Sequence, residues 1–314
     1  MAGGVLVCGN IVMDVVARPV DQLVWSATTW IDSLEHHMGG NGANTSYALA
    51  KLGVPVRLLS ATGTDAFGDQ LLERLGGAGV DVARIERMPG PSAASVALVN
   101  SAGERLLLHR AGVSTSAFAA LLDFSGALST GMSHFHLANI FALPLLRQHA
   151  GPTVHRARAA GFTTSLDTGW DSRGRWIEDL GPCLPYTDIL FVNEDEALRL
   201  ASADEPAGAA ARLRALGATA VVVKLGARGC EIYSARGVAH IPAFDVPAVD
   251  TTGAGDCFAG AFLAARHRGL SLEEAGEVAN AVSALAIQKL GSTDGLRSWD
   301  ETQAWMRTAS RRVA

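Results

Sequence analysis

The sequence predicts an α/β protein with a doubly wound, mainly parallel sheet flanked by helices and a small β-sheet lid. Short runs that are apolar at nearly every position predict strands with both faces buried, as in a parallel sheet. Helical patterns separate these runs, and alternating strands and helices predict right-handed crossovers between parallel strands. The predicted strands are residues 5–8, 57–61, 189–192 and 220–225.

Helices are predicted by their apolar periodicity and by the glycines that follow them. Gly53, Gly217 and Gly269 come directly or shortly after the apolar pattern ends, as is typical of a helix C-terminus. Ser271 and Glu274 form a capping-box sequence that predicts the start of a further helix. The first three predicted helices are residues 44–52, 207–216 and 257–267.

Two stretches, about 11–38 and 92–112, have strand patterns of a different kind. Segments 95–99 and 104–109 flank the turn sequence Asn100-Ser-Ala-Gly103, which predicts a hairpin. A small antiparallel sheet of this kind often serves as a lid or an interface, so we expect a homodimer through the lid. Since no long linker divides the chain, we expect residues 1–314 to form one domain that carries this lid.

Composition excludes several classes of protein. The net charge of −5 and the pI of about 6.0 argue against a nucleic-acid-binding protein, which would show a basic footprint. The four cysteines are scattered without a C-x-x-C pair, which is typical of reduced thiols in a cytoplasmic protein. Without an apolar run of about 18 residues, no membrane span is expected. Glycine, at 34 of 314 residues, exceeds the usual fraction of about 7%.

The strongest motif is Val249-Asp-Thr-Thr-Gly-Ala-Gly-Asp256, which leads into a predicted helix. Gly253 and Gly255 allow unusual backbone angles and present no side chain to a ligand. Backbone amides at a helix N-terminus attract anions, and the helix dipole adds to this attraction. A carboxylate at Asp256 would repel a bound phosphate, so it suggests a role toward a substrate. The alternative is that Asp256 is a helix N-cap.

A second glycine cluster, His37-Met-Gly-Gly-Asn-Gly-Ala-Asn44, also enters a helix. Neither cluster fits G-x-G-x-x-G, and the chain has no G-K-[ST] sequence. Dinucleotide-binding and Walker-type phosphate sites therefore lack sequence support. A phosphate site in this chain must be of another kind.

Together the two clusters resemble the paired signatures of the ribokinase-like (PfkB) family of carbohydrate kinases. Segments 63–68, 193–196 and 224–229 match further family motifs in order and spacing, so the resemblance extends from Val5 to about Gly295. It implies a central sheet with a β-sheet lid, ATP and Mg²⁺ as cofactors, and transfer of the γ-phosphoryl group to a hydroxyl, preferably a primary one, of a sugar or sugar acid.

The resemblance also implies catalytic roles. Asp256 is the expected base, and Gly253, Ala254 and Gly255 are expected to supply amides to the transferring phosphoryl group. Because the helix dipole favours negative charge, we expect a lowered pKa for Asp256.

Nucleotide and metal sites follow from the same resemblance. Asn193 is expected near the phosphates, with Glu196 holding Mg²⁺ through water; the alternative is a capping box. Asn280 is expected beside the adenine; the alternative is an exposed helical asparagine. The remaining nucleotide-binding residues are Lys224, Gly226 and Gly229. The residues expected at a K⁺ site are Asp250, Thr252, Ala286 and Gly291, with the carbonyl of Lys289.

For the sugar, the resemblance implies contacts from Asp14, Gly40, Asn41 and Asn44; the alternative for Asp14 is a free aspartate at a strand end. Ribokinases proper have Asn at the position of Val12, Lys at Asn41, and an acidic contact where this chain has Ala138 or Asn139. These departures remove polar contacts and count against ribose as the substrate. Two other functions stay open: a nucleoside kinase of the same fold, and an inactive sugar or nucleotide sensor.

Overall fold

The computed structural model describes residues 3–312 and contains a large sheet of nine strands. Their order is β13-β12-β11-β10-β9-β8-β1-β4-β5, and all neighbours are parallel except the pairs that involve β12 and β13. The predicted parallel α/β sheet is therefore confirmed, with two antiparallel strands at one edge. The strands are β1 (Gly4–Gly9), β4 (Val56–Gly63), β5 (Ile85–Met88), β8 (Met132–Ala138), β9 (Thr163–Asp167), β10 (Ile189–Asn193), β11 (Ala220–Lys224), β12 (Cys230–Ser234) and β13 (Gly237–Ile241).

Two hydrophobic cores lie on opposite faces of this sheet. Val5 and Val7 of β1 belong to one core and Leu6 and Cys8 to the other. Since successive side chains of a strand point to opposite faces, a strand covered on both sides must be apolar at every position. The helices are α1 (Asn41–Lys51), α2 (Ala66–Gly77), α3 (Pro144–Gln148), α4 (Ala150–Ala159), α5 (Trp176–Leu180), α6 (Glu194–Ala201), α7 (Pro206–Ala215), α8 (Ala254–His267), α9 (Leu272–Ala286) and α10 (Trp299–Met306).

A second sheet of four strands, the lid sheet, consists of β2 (Val12–Arg18), β3 (Ser33–Gly39), β6 (Ala94–Val99) and β7 (Arg105–Arg110) in the order β3-β2-β6-β7. The predicted hairpin joins β6 and β7, where the amide of Asn100 donates to the carbonyl of Glu104. The prediction of a purely antiparallel sheet is wrong, because β2 and β6 are parallel. These two strands come from separate segments, so no tight turn forces them to run in opposite directions.

Helix α1 begins three residues before the predicted position. Gly40 caps it with a φ of 93°, and a Cβ atom there would lie 2.6 Å from the carbonyl oxygen of Asn10. Only glycine accepts both constraints, so the chain turns into the helix immediately after β3. Over residues 3–312, the helices are too short or too polar to cross a membrane.

Candidate active site

Asp256 lies in the first turn of α8, at the C-terminal edge of the large sheet. The N-cap of this helix is Gly253, with a φ of 71°, so the alternative of Asp256 as N-cap is wrong. A Cβ atom on Gly253 would lie 2.5 Å from the Cβ atom of Ser292. The amide of Ala254 donates to the carbonyl of Thr251 at 3.3 Å. The glycine loop therefore packs its backbone closely against its neighbours. Asp256 lies at the N-terminus of α8, where the helix dipole stabilises a negative charge.

Two asparagines of α1 hold the carboxylate of Asp256, which is 8% exposed. Asn41 donates from Nδ2 to Oδ1 at 2.6 Å, and Asn44 donates from Nδ2 to Oδ2 at 2.9 Å. Burial, followed by the charge of Asp167, raises the pKa of Asp256 to about 6, although both asparagines lower it. The predicted lowering by the helix dipole is wrong, because removing a carboxylate from water disfavours its charge more strongly. At neutral pH the group is mainly ionised and has the pKa range of a general base.

Two cavities meet at the loop that precedes α8. The lid cavity, about 830 Å³, lies under the lid sheet. The loop cavity, about 280 Å³, lies between the turn after β11 and helices α8 and α9. The predicted residues that line the lid cavity are Asp14, Gly40, Asn41, Asp250, Thr252 and Gly291. Those that line the loop cavity are Lys224, Gly226, Gly229, Ala254, Gly255 and Asn280.

Lys224 lies beside the glycine loop, and its ammonium group donates to both carboxylate oxygens of Asp167, at 2.8 and 3.0 Å. A Cβ atom on Gly255 would lie 3.2 Å from this ammonium nitrogen. Burial acts to lower the pKa of Lys224, but the charges of Asp167 and Glu196 outweigh it and raise the pKa. Asp167 was missed from the sequence. The available signal was the sequence Ser165-Leu-Asp167, in which the aspartate is the last residue of a short run typical of a strand end.

Asn193 and Glu196 form the capping box of α6, so this alternative is confirmed. Glu196 is 5% exposed, and its Oε2 accepts hydrogen bonds from the Asn193 amide and the Thr168 hydroxyl, both at 2.9 Å. Burial raises its pKa, against the nearby charge of Lys224. A buried, oriented carboxylate near Lys224 suits a residue that binds Mg²⁺ through water, because Mg²⁺ keeps several waters and needs few carboxylates.

Asn280 is buried on α9, and the alternative of an exposed helical asparagine is wrong. Its Nδ2 donates to the carbonyls of Ile241 at 3.0 Å and Pro242 at 3.3 Å. These bonds join α9 to the segment after β13 and shape one wall of the loop cavity.

Asp250 connects the loop to its surroundings. Its Oδ1 accepts from the Thr252 amide at 2.9 Å and its Oδ2 from the Gly291 amide at 3.1 Å. Arg105 of the lid sheet lies 3.0 Å from the same carboxylate and also donates to the Thr252 hydroxyl. The carbonyl of Ala286 accepts from the Lys289 amide at 3.3 Å. Over residues 3–312, no cluster of three or more His, Cys, Asp or Glu side chains is arranged to hold a metal ion.

Asp14 lies inside β2 and not at a strand end, so that alternative is wrong. Burial raises its pKa, against a hydrogen bond from Ser95 and the charge of His37. A Cβ atom on Gly39 would lie 2.0 Å from Asp14 Oδ2, so a glycine at this position leaves room for the carboxylate.

Asp256 is a buried carboxylate in the first turn of a helix, beside a glycine loop, and its partner Asn41 lines the lid cavity. This arrangement suits a phosphotransferase that acts on an alcohol group. The chain belongs to the pfkB family of carbohydrate kinases, whose family description matches residues 3–299. It is an ATP-dependent kinase of that family, and the predicted family and fold are confirmed.

Relatives and solved structures agree with this assignment. The chain is 33% identical over 292 residues to an ATP-dependent ribose-1-phosphate kinase of Halopiger xanaduensis, covering 92% of this chain and 93% of that protein. It is 28% identical to a 2-dehydro-3-deoxygluconokinase of Thermoproteus tenax, covering 87% and 86%. A putative Ribokinase II of E. coli in complex with ATP and Mg²⁺ superimposes with a TM-score of 0.85 at 27% identity, covering 97% and 99%.

Proposed function

We propose that the chain transfers the γ-phosphoryl group of ATP to a hydroxyl, preferably a primary one, of a sugar or sugar acid in the lid cavity, with Asp256 as the base. The observation that carries this proposal is the position of Asp256. Its partner Asn41 lines the lid cavity, and its helix neighbour Gly255 lines the loop cavity. A carboxylate between an acceptor cavity and a nucleotide cavity is placed to receive a proton during transfer.

In the proposed reaction, the substrate hydroxyl loses its proton to Asp256 while its oxygen forms a bond to the γ-phosphorus. The bond between that phosphorus and the β–γ bridging oxygen breaks, and ADP leaves with the electron pair. Gly253, Ala254 and Gly255 lie at the N-terminus of α8, where backbone amides and the helix dipole stabilise the charge of the transferring group.

Charge near the nucleotide is neutralised from two sides. Lys224 lies beside Gly255 and is positioned to approach the phosphates from the floor of the loop cavity. Asn193 and Glu196 lie at the start of α6, and Glu196 would hold Mg²⁺ through water. Bound with the nucleotide, Mg²⁺ neutralises the β- and γ-phosphate oxygens. Gly226, Gly229 and Asn280 also line the loop cavity and are the other proposed contacts of the nucleotide.

For the acceptor, Asp14, Gly40, Asn41 and Asn44 are the proposed contacts. Arg105 also reaches the lid cavity, and a guanidinium group favours a carboxylate or phosphate over a neutral ligand. The two curated relatives named above act on ribose 1-phosphate and 2-dehydro-3-deoxygluconate, which are both anionic. An acidic or phosphorylated sugar is therefore favoured. A nucleoside is the second candidate, because Val12, Ala97 and Leu107 add an apolar wall to the cavity.

The test is release of ADP from Mg-ATP across a panel of sugars, sugar acids, sugar phosphates and nucleosides. Asp256→Asn is expected to abolish turnover while nucleotide binding stays measurable by calorimetry. Near-wild-type turnover by Asp256→Asn would show that another group is the base. Tight binding without turnover by the wild type on any substrate would instead support the sensor.

A monovalent cation is proposed beside Asp250, Thr252, Ala286 and Gly291, with Lys289 offering only its carbonyl. Asp250 is bonded to the Thr252 and Gly291 amides, which keeps this loop together under the lid cavity. Activity in KCl is expected to exceed activity in an equal concentration of choline chloride. Equal rates in the two salts would argue against the cation.

A homodimer through the lid sheet is also proposed. Arg105, Leu107 and His109 of β7 line the lid cavity, so Leu106 and Leu108 point to the opposite face, where both are exposed. Light scattering is expected to give twice the chain mass, and Leu108→Asp is expected to give a monomer. A monomeric wild type at micromolar concentration would contradict this proposal.

A further inference from the structure

Three consecutive hydrogen bonds lead from a backbone amide to the carboxylate of Asp256. The amide of Phe141 donates to Oδ1 of Asn139 at 3.0 Å. Nδ2 of Asn139 donates to Oδ1 of Asn41 at 2.8 Å, and Nδ2 of Asn41 donates to Oδ1 of Asp256 at 2.6 Å. Each link connects a donor to an acceptor.

The donor and acceptor of each of these three hydrogen bonds follow from the first one, in which the Phe141 amide donates to Asn139. A backbone amide only donates, so the atom of Asn139 that faces Phe141 must be the carbonyl oxygen. The other end of that side chain is then an NH₂ group, which requires Asn41 to face it with an oxygen. Asn41 consequently has its own NH₂ group left for Asp256. The two ends of a side-chain amide have nearly the same shape, so its hydrogen bonds decide which end faces Asp256.

The backbone around Asn139 holds this side chain in place. Asn139 has a φ of 66°, in the left-handed region, and its amide donates to the carbonyl of Asp167 at 2.9 Å. A Cβ atom on Gly169 would lie 2.4 Å from Nδ2 of Asn139, so the amide packs directly against a glycine that leaves room for it. Asparagine is among the residues that tolerate this backbone conformation best.

We propose that Asn139 is a positioning residue for phosphoryl transfer, which sets the orientation of the Asn41 amide so that a donor and not an acceptor faces the base. The proposal rests on the role of Asp256 proposed above. Without Asn139, the Asn41 amide can also turn its oxygen toward Asp256, where it accepts a hydrogen bond from the protonated carboxyl group. An ionised carboxylate is disfavoured by that arrangement, so the base would be weaker at neutral pH.

The charged groups that face Asp256 from other elements are Asp167 on β9, which raises its pKa, and Lys224 on β11, which lowers it. Neither takes part in the three hydrogen bonds from Phe141 to Asp256. A change in the pH dependence on substitution of Asn139 is therefore attributable to the amide, provided that the backbone is preserved.

Asn139→Gly is the variant of choice, because glycine adopts a φ of 66° without strain and removes only the side chain. Ser202→Gly is the matched control: Ser202 also has a positive φ, 47°, but it ends helix α6. For Asn139→Gly we expect kcat to fall about 3- to 10-fold, which corresponds to the free energy of about one hydrogen bond. The KM for ATP is expected to stay unchanged. The pH at which kcat/KM falls to half on the acid side is expected to rise by about half to one pH unit. Ser202→Gly is expected to match the wild type.

A second variant reverses the amide. Asn139→Asp still accepts from Phe141 but cannot donate to Asn41, which must then turn its NH₂ group toward the new carboxylate. We expect a larger loss at pH 7 than for Asn139→Gly, partly recovered as the pH is raised. In an Asn41→Ala background, Asn139→Gly is expected to add less than about twofold, because coupled residues are not additive.

Three results would overturn the proposal. They are a wild-type kcat and acid limb for Asn139→Gly, an equal loss in the Asn41→Ala background, and a loss of folding stability with no change in the pH profile. Failure of the underlying function is distinguishable, because Asp256→Asn would then remain active.

Discussion

Burial raises the pKa of Asp256, and hydrogen bonds from two asparagines oppose that rise, so removal of one of these donors has a calculable effect. Asn44→Leu deletes the hydrogen bond from Nδ2 to Asp256 Oδ2 and keeps a side chain of similar shape. The other end of this amide, Asn44 Oδ1, is buried and has no hydrogen-bond partner within residues 3–312, so within the described protein the substitution removes a single hydrogen bond.

A hydrogen bond to a charged group contributes about 1.5–3 kcal/mol, and a pKa unit corresponds to about 1.4 kcal/mol. Loss of the donor disfavours the ionised form, so the pKa of Asp256 should rise by about 1–2 units. From its value of about 6 in the wild type, it would reach about 7–8. The base would then be largely protonated at pH 7 and ionised again near pH 9.

The assay is coupled ADP release, measured as kcat/KM from pH 5 to 9. The wild type is expected to lose activity below about pH 6, because protonated Asp256 cannot accept a proton. Asn44→Leu is expected to lose activity at a higher pH and to recover at the alkaline end. Ser46→Ala on the same helix is the control, since the buried Ser46 hydroxyl has no partner within the described residues. An acid limb that stays at the same pH in Asn44→Leu would refute the reasoning.

Three further predictions concern Lys224, Gly253 and Asp171. Lys224→Met should lower kcat by about 100-fold or more, because the transferring group loses a charge worth about 3 kcal/mol, while calorimetry still detects folded protein. Gly253→Ala should lower both thermal stability and turnover, since its φ is 71° and the new methyl group would lie 2.5 Å from Ser292. For Asp171, burial is outweighed by the hydrogen bond from Arg147, and the pKa falls from 3.8 to about 2. A lowered pKa gives stability that is present above about pH 4 and lost as the pH falls toward 2, so Asp171→Asn should cost about 2 kcal/mol in urea unfolding at pH 7 and little at pH 2.

Local signals predicted several of the helices and strands, although α1 and α8 each begin three residues earlier than predicted. The capping boxes at Asn193 and Ser271 were readable because both partners lie within one helical turn. The strand runs were readable because a strand covered on both faces needs apolar residues throughout. The lid sheet was located correctly, but its parallel pairing of β2 with β6 was not, since that pairing joins segments about 80 residues apart.

The sequence predicted which residues surround the cavities better than it predicted their pKa values and hydrogen bonds. Twelve of the predicted site residues line two neighbouring cavities. Those that line neither cavity are Asn44, Asn193, Glu196, Gly253, Asp256 and Ala286. Asp256 was expected to have a lowered pKa, whereas its burial raises the pKa. The sequence analysis left open whether Asn280 is exposed, but the residue is buried and donates hydrogen bonds to two backbone carbonyls.

By itself the sequence determined the fold class and the family, because each depends on patterns and motifs of residues close together in the chain. Only the tertiary structure decided the ion pair between Lys224 and Asp167, the hydrogen bonds from Asn139 through Asn41 to Asp256, and the raised pKa of Asp256. Asn41 and Asp256 are 215 residues apart, and their contact exists only after α1 and α8 pack together. A pKa depends on burial and on charges brought near by packing, so no pattern of neighbouring residues contains it.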